Sequence, residues 1–94
     1  MSTLPARYYK ELFALFAAIE NEKEAKTMLE DLFTPQEIDD LAQRWQLIQE
    51  LIEGKPQRQI AEDLGISISK ITRGSTMLKH GSGAFEKMYK KLKK

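Results

Sequence analysis

The segment QRQIAEDLGISISKITR, residues 57–73, restricts the fold more tightly than any other stretch of the chain. Ile60, Leu64, Ile66 and Ile71 stand where two short helices would bury them against each other, and Ala61 is small where those helices would approach closely. Gly65 falls between them, at a turn where a positive φ is expected. Ser67 can cap the second helix by accepting from its first free N–H groups. The pattern predicts two helices crossing steeply around a tight turn.

A helix pair of this kind suits a duplex. The major groove admits one α-helix, whose N-terminal side chains reach base edges. Gln57, Arg58, Ile68, Ser69, Lys70 and Thr72 are the expected DNA-contacting residues: Ser69 and Thr72 as short donors and acceptors, Gln57 and Arg58 as phosphate contacts that fix register. Lys55, just before the first helix, is assigned to phosphate as well. The same residues also fit an ordinary helical hairpin without a DNA partner, and the charge distribution favours the first reading. Residues 1–53 carry five Lys/Arg and eleven Asp/Glu, whereas residues 54–94 carry ten and three, so a half of net −6 precedes a half of net +7. A scaffold followed by a surface for polyanions is the expectation.

Elsewhere apolar residues recur at spacings of three and four, with no alternating β-branched runs. A first helix starts near Pro5 and carries Leu12, Phe13, Leu15, Phe16 and Ile19 on a broad face. Asn21 and Glu24 read as the cap and reciprocal partner of a second. Thr34-Pro35-Gln36-Glu37 opens a third with cap, first-turn proline and third-position glutamate. That helix carries Ile38, Leu41, Trp45, Ile48 and Ile52 on one stripe and stops at Gly54. A short helix after Pro56, the helix capped by Ser67, and a last one capped by Ser82 complete about six. The fold class is all-α with a helix-turn-helix. One domain spans 1–94: a helical dimerisation core over 1–53, a reading head over 54–80 and a basic C-terminal helix over 81–94. So short a chain leaves wide stripes uncovered, which makes a homodimer with a shared core the expected state.

Cysteine is absent and there is one histidine, His80, so disulfides, thiolate metal sites and cysteine nucleophiles are excluded, and no prosthetic group or metal is expected. No constellation supplies a nucleophile, a base and an oriented partner, so an enzyme is not expected. The N-terminus lacks a signal-peptide pattern and no segment has the length and apolarity of a membrane span; a soluble cytoplasmic protein without membrane contact is expected.

At 100° per residue the helix capped by Ser67 has three faces. Ile71, Ser75 and Leu78 point inward; Ser69, Thr72 and Thr76, bordered by Ile68, point toward DNA. Lys70, Arg73, Gly74 and Met77 form the third. Glycine within a helix costs about 1 kcal/mol relative to alanine. Two uses of Gly74 fit these residues: a bare backbone on which a flat anionic or zwitterionic ligand lies beside Arg73, or close packing of a neighbouring helix. Arg44 borders the apolar stripe of the third helix, with Leu41, Leu47 and Ile48 one turn away, so its guanidinium can lie over an apolar slot.

LGISISKITRGSTMLK resembles the reading helix of the bacterial tryptophan repressor family, and LFTPQEIDDLAQRWQLIQELIEG resembles that family's central helix. The likeness runs from about residue 30 to 80. Helix-turn-helix docking and water-mediated base contacts are known from this family itself, and therefore belong to the resemblance. It implies an intertwined all-helical homodimer that binds operator DNA with L-tryptophan as corepressor. The implied ligand residues are Arg44 and Arg73 as an indole sandwich, Gly74 beneath the ring, Thr34 of the partner subunit at the carboxylate, and Met77 and Ile48. Met77 stands where the family has a serine. Asp31 and Phe33 replace leucines whose carbonyls hold the ligand ammonium; Ala61 and Lys70 replace a lysine and a threonine at the DNA surface. The implied function is a tryptophan-dependent repressor of genes for making or importing tryptophan. The alternatives are a ligand-independent DNA binder on the same scaffold and a helical dimerisation module without DNA. The lysines at 87, 90, 91, 93 and 94 fit either phosphate attraction or simple solvation.

Overall fold

The computed structural model describes residues 3–93 and, among them, is all-helical: α1 (Ala6–Ala17), α2 (Glu22–Leu32), α3 (Pro35–Ile52), α4 (Gln57–Leu64), α5 (Ile68–His80) and α6 (Ala84–Leu92). Lys94, assigned above to phosphate or solvent, lies outside the described residues. None of the described helices is long and apolar enough to cross a membrane. The chain divides into two compact units, residues 1–38 and 39–94.

The first unit holds α1, α2 and the start of α3. No residue of α1 or α2 is buried. On α1, Phe13 is 63% exposed, and Leu12, Leu15 and Phe16 are exposed beside it. Asn21 caps α2 by accepting from the Glu24 N–H at 2.9 Å. The reciprocal half differs from expectation: the Glu24 carboxylate accepts from the N–H of Glu20, not from that of the cap. Thr34 and Glu37 form the complete box that opens α3: the Glu37 N–H donates to Thr34 Oγ1 at 3.1 Å and the Thr34 N–H donates to Glu37 Oε1 at 2.8 Å.

The second unit is built on a small apolar centre. Leu47, Ile60 and Ile71 are buried together, with Leu51, Ala61, Leu64 and Ile66 packed around them. Thus α4 and α5 close on each other and on one side of α3. Between α4 and α5, Gly65 has φ 63°, and the Ile66 N–H returns to the Ala61 carbonyl at 3.1 Å. An L side chain is strained in that left-handed conformation, so glycine permits the tight turn. Ser67 caps α5, accepting from the Lys70 N–H at 3.3 Å.

Two further expectations are corrected. The cap of α6 is Gly83, with φ 90° and no side-chain cap bond, and not Ser82: the chain enters α6 through a left-handed residue that glycine tolerates best. Lys55 is engaged within the fold. Its ammonium meets Glu50 Oε1 at 2.6 Å and Asp63 Oδ2 at 3.0 Å, joining the end of α3 to the end of α4. Two carboxylates therefore claim the charge assigned to phosphate, and they hold Lys55 protonated well above the ordinary lysine range.

Lys55, and then Gln59, hold the Asp63 carboxyl below its ordinary value of 3.8. A carboxyl shifted downward adds stability that is complete above its unfolded value and lost as pH falls through its folded one. Asp63→Asn should therefore flatten the acid limb of stability below pH 3.8, measured as thermal midpoints across an acid titration. An acid limb as steep as that of the parent would remove the ion pair from the account.

α6 is tied to α3 and to the turn that follows α3. The Trp45 and Phe85 rings stack at 6.2 Å between centroids and 30° between planes. The Tyr89 hydroxyl donates to Glu53 Oε2 at 2.8 Å, and this bond raises the phenol above its ordinary value.

Candidate ligand cleft and exposed helix face

A cleft of about 240 Å³ lies within the second unit, between α3 and α5. Each helix supplies one face at the spacing i, i+3, i+4, i+7. From α3 come Asp40, Gln43, Arg44 and Leu47; from α5 come Lys70, Arg73, Gly74 and Met77, with Ile66 from the preceding turn. Residues so spaced lie in one row on a helix, so two rows facing each other make a slot with continuous walls. Its volume falls just below the roughly 300–1,000 Å³ of drug-sized sites, which suits a single small molecule.

The lining is amphipathic. Leu47, Ile66, Gly74 and Met77 give an apolar lining; Arg44, Lys70 and Arg73 add cationic residues and Asp40 an acidic one. Arg44 and Arg73 line the slot yet are exposed, and Met77 is half-buried, so the slot is partly open to solvent. A planar apolar body with an anionic end matches this arrangement, because guanidinium both stacks on a ring and pairs a carboxylate in bidentate fashion.

The four residues read from sequence as the third face of α5 all line the cleft, and Arg44 faces them from α3. Ile48 is fully buried and is not among the lining residues; its neighbour Leu47 is. Thr34 is in the first unit, where it caps α3. Asp40 and Gln43 also line the cleft, although the sequence alone does not single them out. Both are polar residues one turn or less before Arg44, and only the arrival of α5 beside that face distinguishes them from solvated surface.

Gly74 answers to packing as well as to the cleft. A Cβ built there would stand 2.8 Å from Leu47 Cδ2, 3.2 Å from Leu47 Cγ and 3.6 Å from Leu51 Cδ1. The close-packing use of Gly74 is therefore realised, against a side chain that itself lines the cleft. Gly74→Ala adds about 1 kcal/mol of helix propensity, but overpacking a core contact costs roughly 1–3 kcal/mol. The expected result is a small net loss of stability, with Leu47 displaced, read by chemical denaturation. A stabilised Gly74→Ala protein would show that Leu47 yields without cost.

The opposite side of α5 is open: Ile68 is 52% exposed, and Ser69, Thr72 and Thr76 are exposed. Thr72 Oγ1 donates to the Ile68 carbonyl and Thr76 Oγ1 to the Thr72 carbonyl, each at 3.0 Å. With their protons so engaged, these hydroxyls present acceptor lone pairs and methyl groups outward, which match base amino groups and the thymine methyl. Gln57 and Arg58 are exposed in the first turn of α4. Lys70 is exposed and also lines the cleft, so it borders both faces.

The family model for the Trp repressor protein matches residues 7–93. The chain is 37% identical over 86 residues to the Trp operon repressor homolog of Chlamydia trachomatis serovar L2, an alignment spanning 90% of this chain and 74% of that protein. It is 40% identical over 72 residues to the Trp operon repressor homolog of Mannheimia succiniciproducens, spanning 76% and 71%. A third relative of the same name, from Photobacterium profundum, is 44% identical over 62 residues, spanning 65% and 60%.

Proposed function

The chain belongs to the Trp repressor family, a family of regulators and not of enzymes, and from that membership we propose that it is an L-tryptophan-dependent repressor that binds operator DNA as a homodimer. One observation carries the reading. α5 has Arg73 and Gly74 in the wall of a cleft and Thr72 on its open side, so a single rigid helix joins a ligand surface to a DNA surface. In the bound state Arg44 and Arg73 sandwich the indole and Arg73 pairs the carboxylate. Gln57, Arg58, Ile68, Ser69, Lys70 and Thr72 meet the duplex.

The helix-turn-helix is α4, the Gly65 turn and α5. The exposed apolar face of α1 supports a second copy as its cover, since Leu12, Phe13 and Phe16 lie open to solvent. That gives the domain plan of dimerisation core over 1–53, reading head over 54–80 and basic helix over 81–94, with Thr34 of each core offered to the other subunit's ligand. Two heads then address half-sites roughly 34 Å apart. Tryptophan filling the cleft fixes the angle between α3 and α5, and with it the pose of the reading face.

Calorimetric titration with L-tryptophan tests the ligand: the expected result is saturable binding of one molecule per chain. Affinity for an operator duplex at elevated salt tests the rest, because sequence-independent phosphate binding fades with salt. The expected result is operator preference that rises with tryptophan. Met77, whose thioether occupies the cleft wall where a hydroxyl would help hold a polar head, favours a second reading: a DNA binder that ignores tryptophan. Operator affinity unchanged by saturating tryptophan selects that reading. No preference for any duplex selects a dimerisation module.

A further inference from the structure

A cluster of side-chain bonds at the junction of α3 and α4 belongs neither to the cleft nor to the open face of α5. Lys55 stands between the two helices with its backbone fixed: its N–H donates to the Glu50 carbonyl at 3.1 Å. From there its ammonium reaches Glu50 Oε1 on α3 at 2.6 Å and Asp63 Oδ2 on α4 at 3.0 Å. Gln59, one turn before Asp63, donates to Asp63 Oδ1 at 2.8 Å and so leaves Oδ2 to the lysine. The Glu50 side chain is only 13% exposed, so that end of the clasp is set firmly against α3. None of these four residues lines the cleft.

We propose that Lys55, held by Glu50 and Asp63, is a positioning residue for the reading head: it clasps α4 to α3 and favours the DNA-binding pose before ligand arrives. The proposal rests on the tryptophan-dependent reading above. A ligand changes operator affinity only where the head has at least two arrangements that bind DNA differently. α4 carries Gln57 and Arg58, and α5 follows it through the Gly65 turn, so the angle of α4 on α3 sets the pose of both. The closed clasp and the formed cleft of about 240 Å³ occur together, which makes the clasped pose the one that accepts the ligand. Tryptophan restrains the head from the α3–α5 side, and the clasp restrains it from the α3–α4 side. Whatever share of the competent pose the clasp maintains, tryptophan need not supply, and apparent ligand affinity rises with that share.

Asp63→Ala opens the α4 end of the clasp and leaves the Lys55–Glu50 pair in place, whereas Asp63→Glu keeps the charge on a longer stem. The test is calorimetric titration of L-tryptophan into wild type and both variants, with and without a duplex selected for binding wild type. Asp63→Ala is expected to weaken tryptophan about threefold without duplex, the scale of one exposed ion pair. With duplex, which imposes the competent pose itself, tryptophan affinity should stay at the wild-type value. The factor by which DNA tightens tryptophan then rises about threefold, and by linkage so does the factor by which tryptophan tightens DNA. That ratio cancels the added attraction to DNA from removing one acidic charge, and a loss of stability alone would not move it. Asp63→Glu should return most of the wild-type behaviour. An unchanged ratio in Asp63→Ala, whatever happens to operator affinity itself, overturns the clasp and leaves the tryptophan reading intact. Failure of wild type to bind tryptophan overturns both.

Discussion

Arg73→Ala is expected to abolish the response to tryptophan while leaving the fold as stable as before. Arg73 is exposed on α5 and its side chain belongs to the cleft wall, not to the apolar centre. Exposed substitutions of this kind change stability by about 0.5 kcal/mol or less. What disappears is a charge-assisted pairing with the ligand carboxylate, about 1.5–3 kcal/mol, and a guanidinium stacked on the ring, about 0.5–2 kcal/mol. Together these correspond to a loss of affinity on the order of 100-fold. Because coupling between two binding events is reciprocal, operator DNA should also cease to tighten tryptophan binding. Calorimetry and operator titration with and without tryptophan read both effects, and a thermal melt supplies the control. An Arg73→Ala chain that still binds tryptophan at near wild-type affinity would remove Arg73 from the site.

Ile71→Ala should have the opposite profile. Ile71 is fully buried against Leu47 and Ile60, two residues behind the arginine in sequence and on the other side of the helix. Truncating such a side chain costs about 2–5 kcal/mol, a large share of the roughly 5–15 kcal/mol that holds a domain together. For a chain of this size that lowers the melting midpoint by roughly 10 °C or more. Operator affinity should fall at every tryptophan concentration, because α5 loses its seat on α3 and α4. The two variants thus separate a ligand contact from a structural one within a single helical turn. An unchanged melting midpoint in Ile71→Ala would show that α5 is held by something other than this centre.

Local chemistry made most of the helical framework legible in advance. Thr34 and Glu37 specify their box because both partners lie within four residues, and Gly65 marks its turn because few other residues accept that φ. The grouping of Lys70, Arg73, Gly74 and Met77 also follows from helical geometry alone. Apart from the local cap details at Glu24 and Ser82, the departures depend on where a second segment arrives. Lys55 reads as a free cation until Glu50 and Asp63 converge on it from two helices. Asp40 and Gln43 read as solvated until α5 lies beside them. Ile48 and Leu47 are adjacent apolar residues, and nothing local decides which one faces the cleft. Gly74 could be read as packing or as ligand floor, and Leu47 makes the choice less than exclusive, since the side chain nearest to it belongs both to the apolar centre and to the cleft wall.

The stack of Trp45 on Phe85 has a practical consequence. Trp45 is the chain's single tryptophan, so in the absence of added ligand all indole emission comes from one ring, at the contact between α3 and α6. Undocking of α6 would bring water to that ring and shift its fluorescence to longer wavelength. Arg44, the adjacent residue, is turned about 100° away around the helix toward the cleft. The seating of the C-terminal helix is therefore open to optical measurement separately from events in the cleft, in the same molecule and without a label.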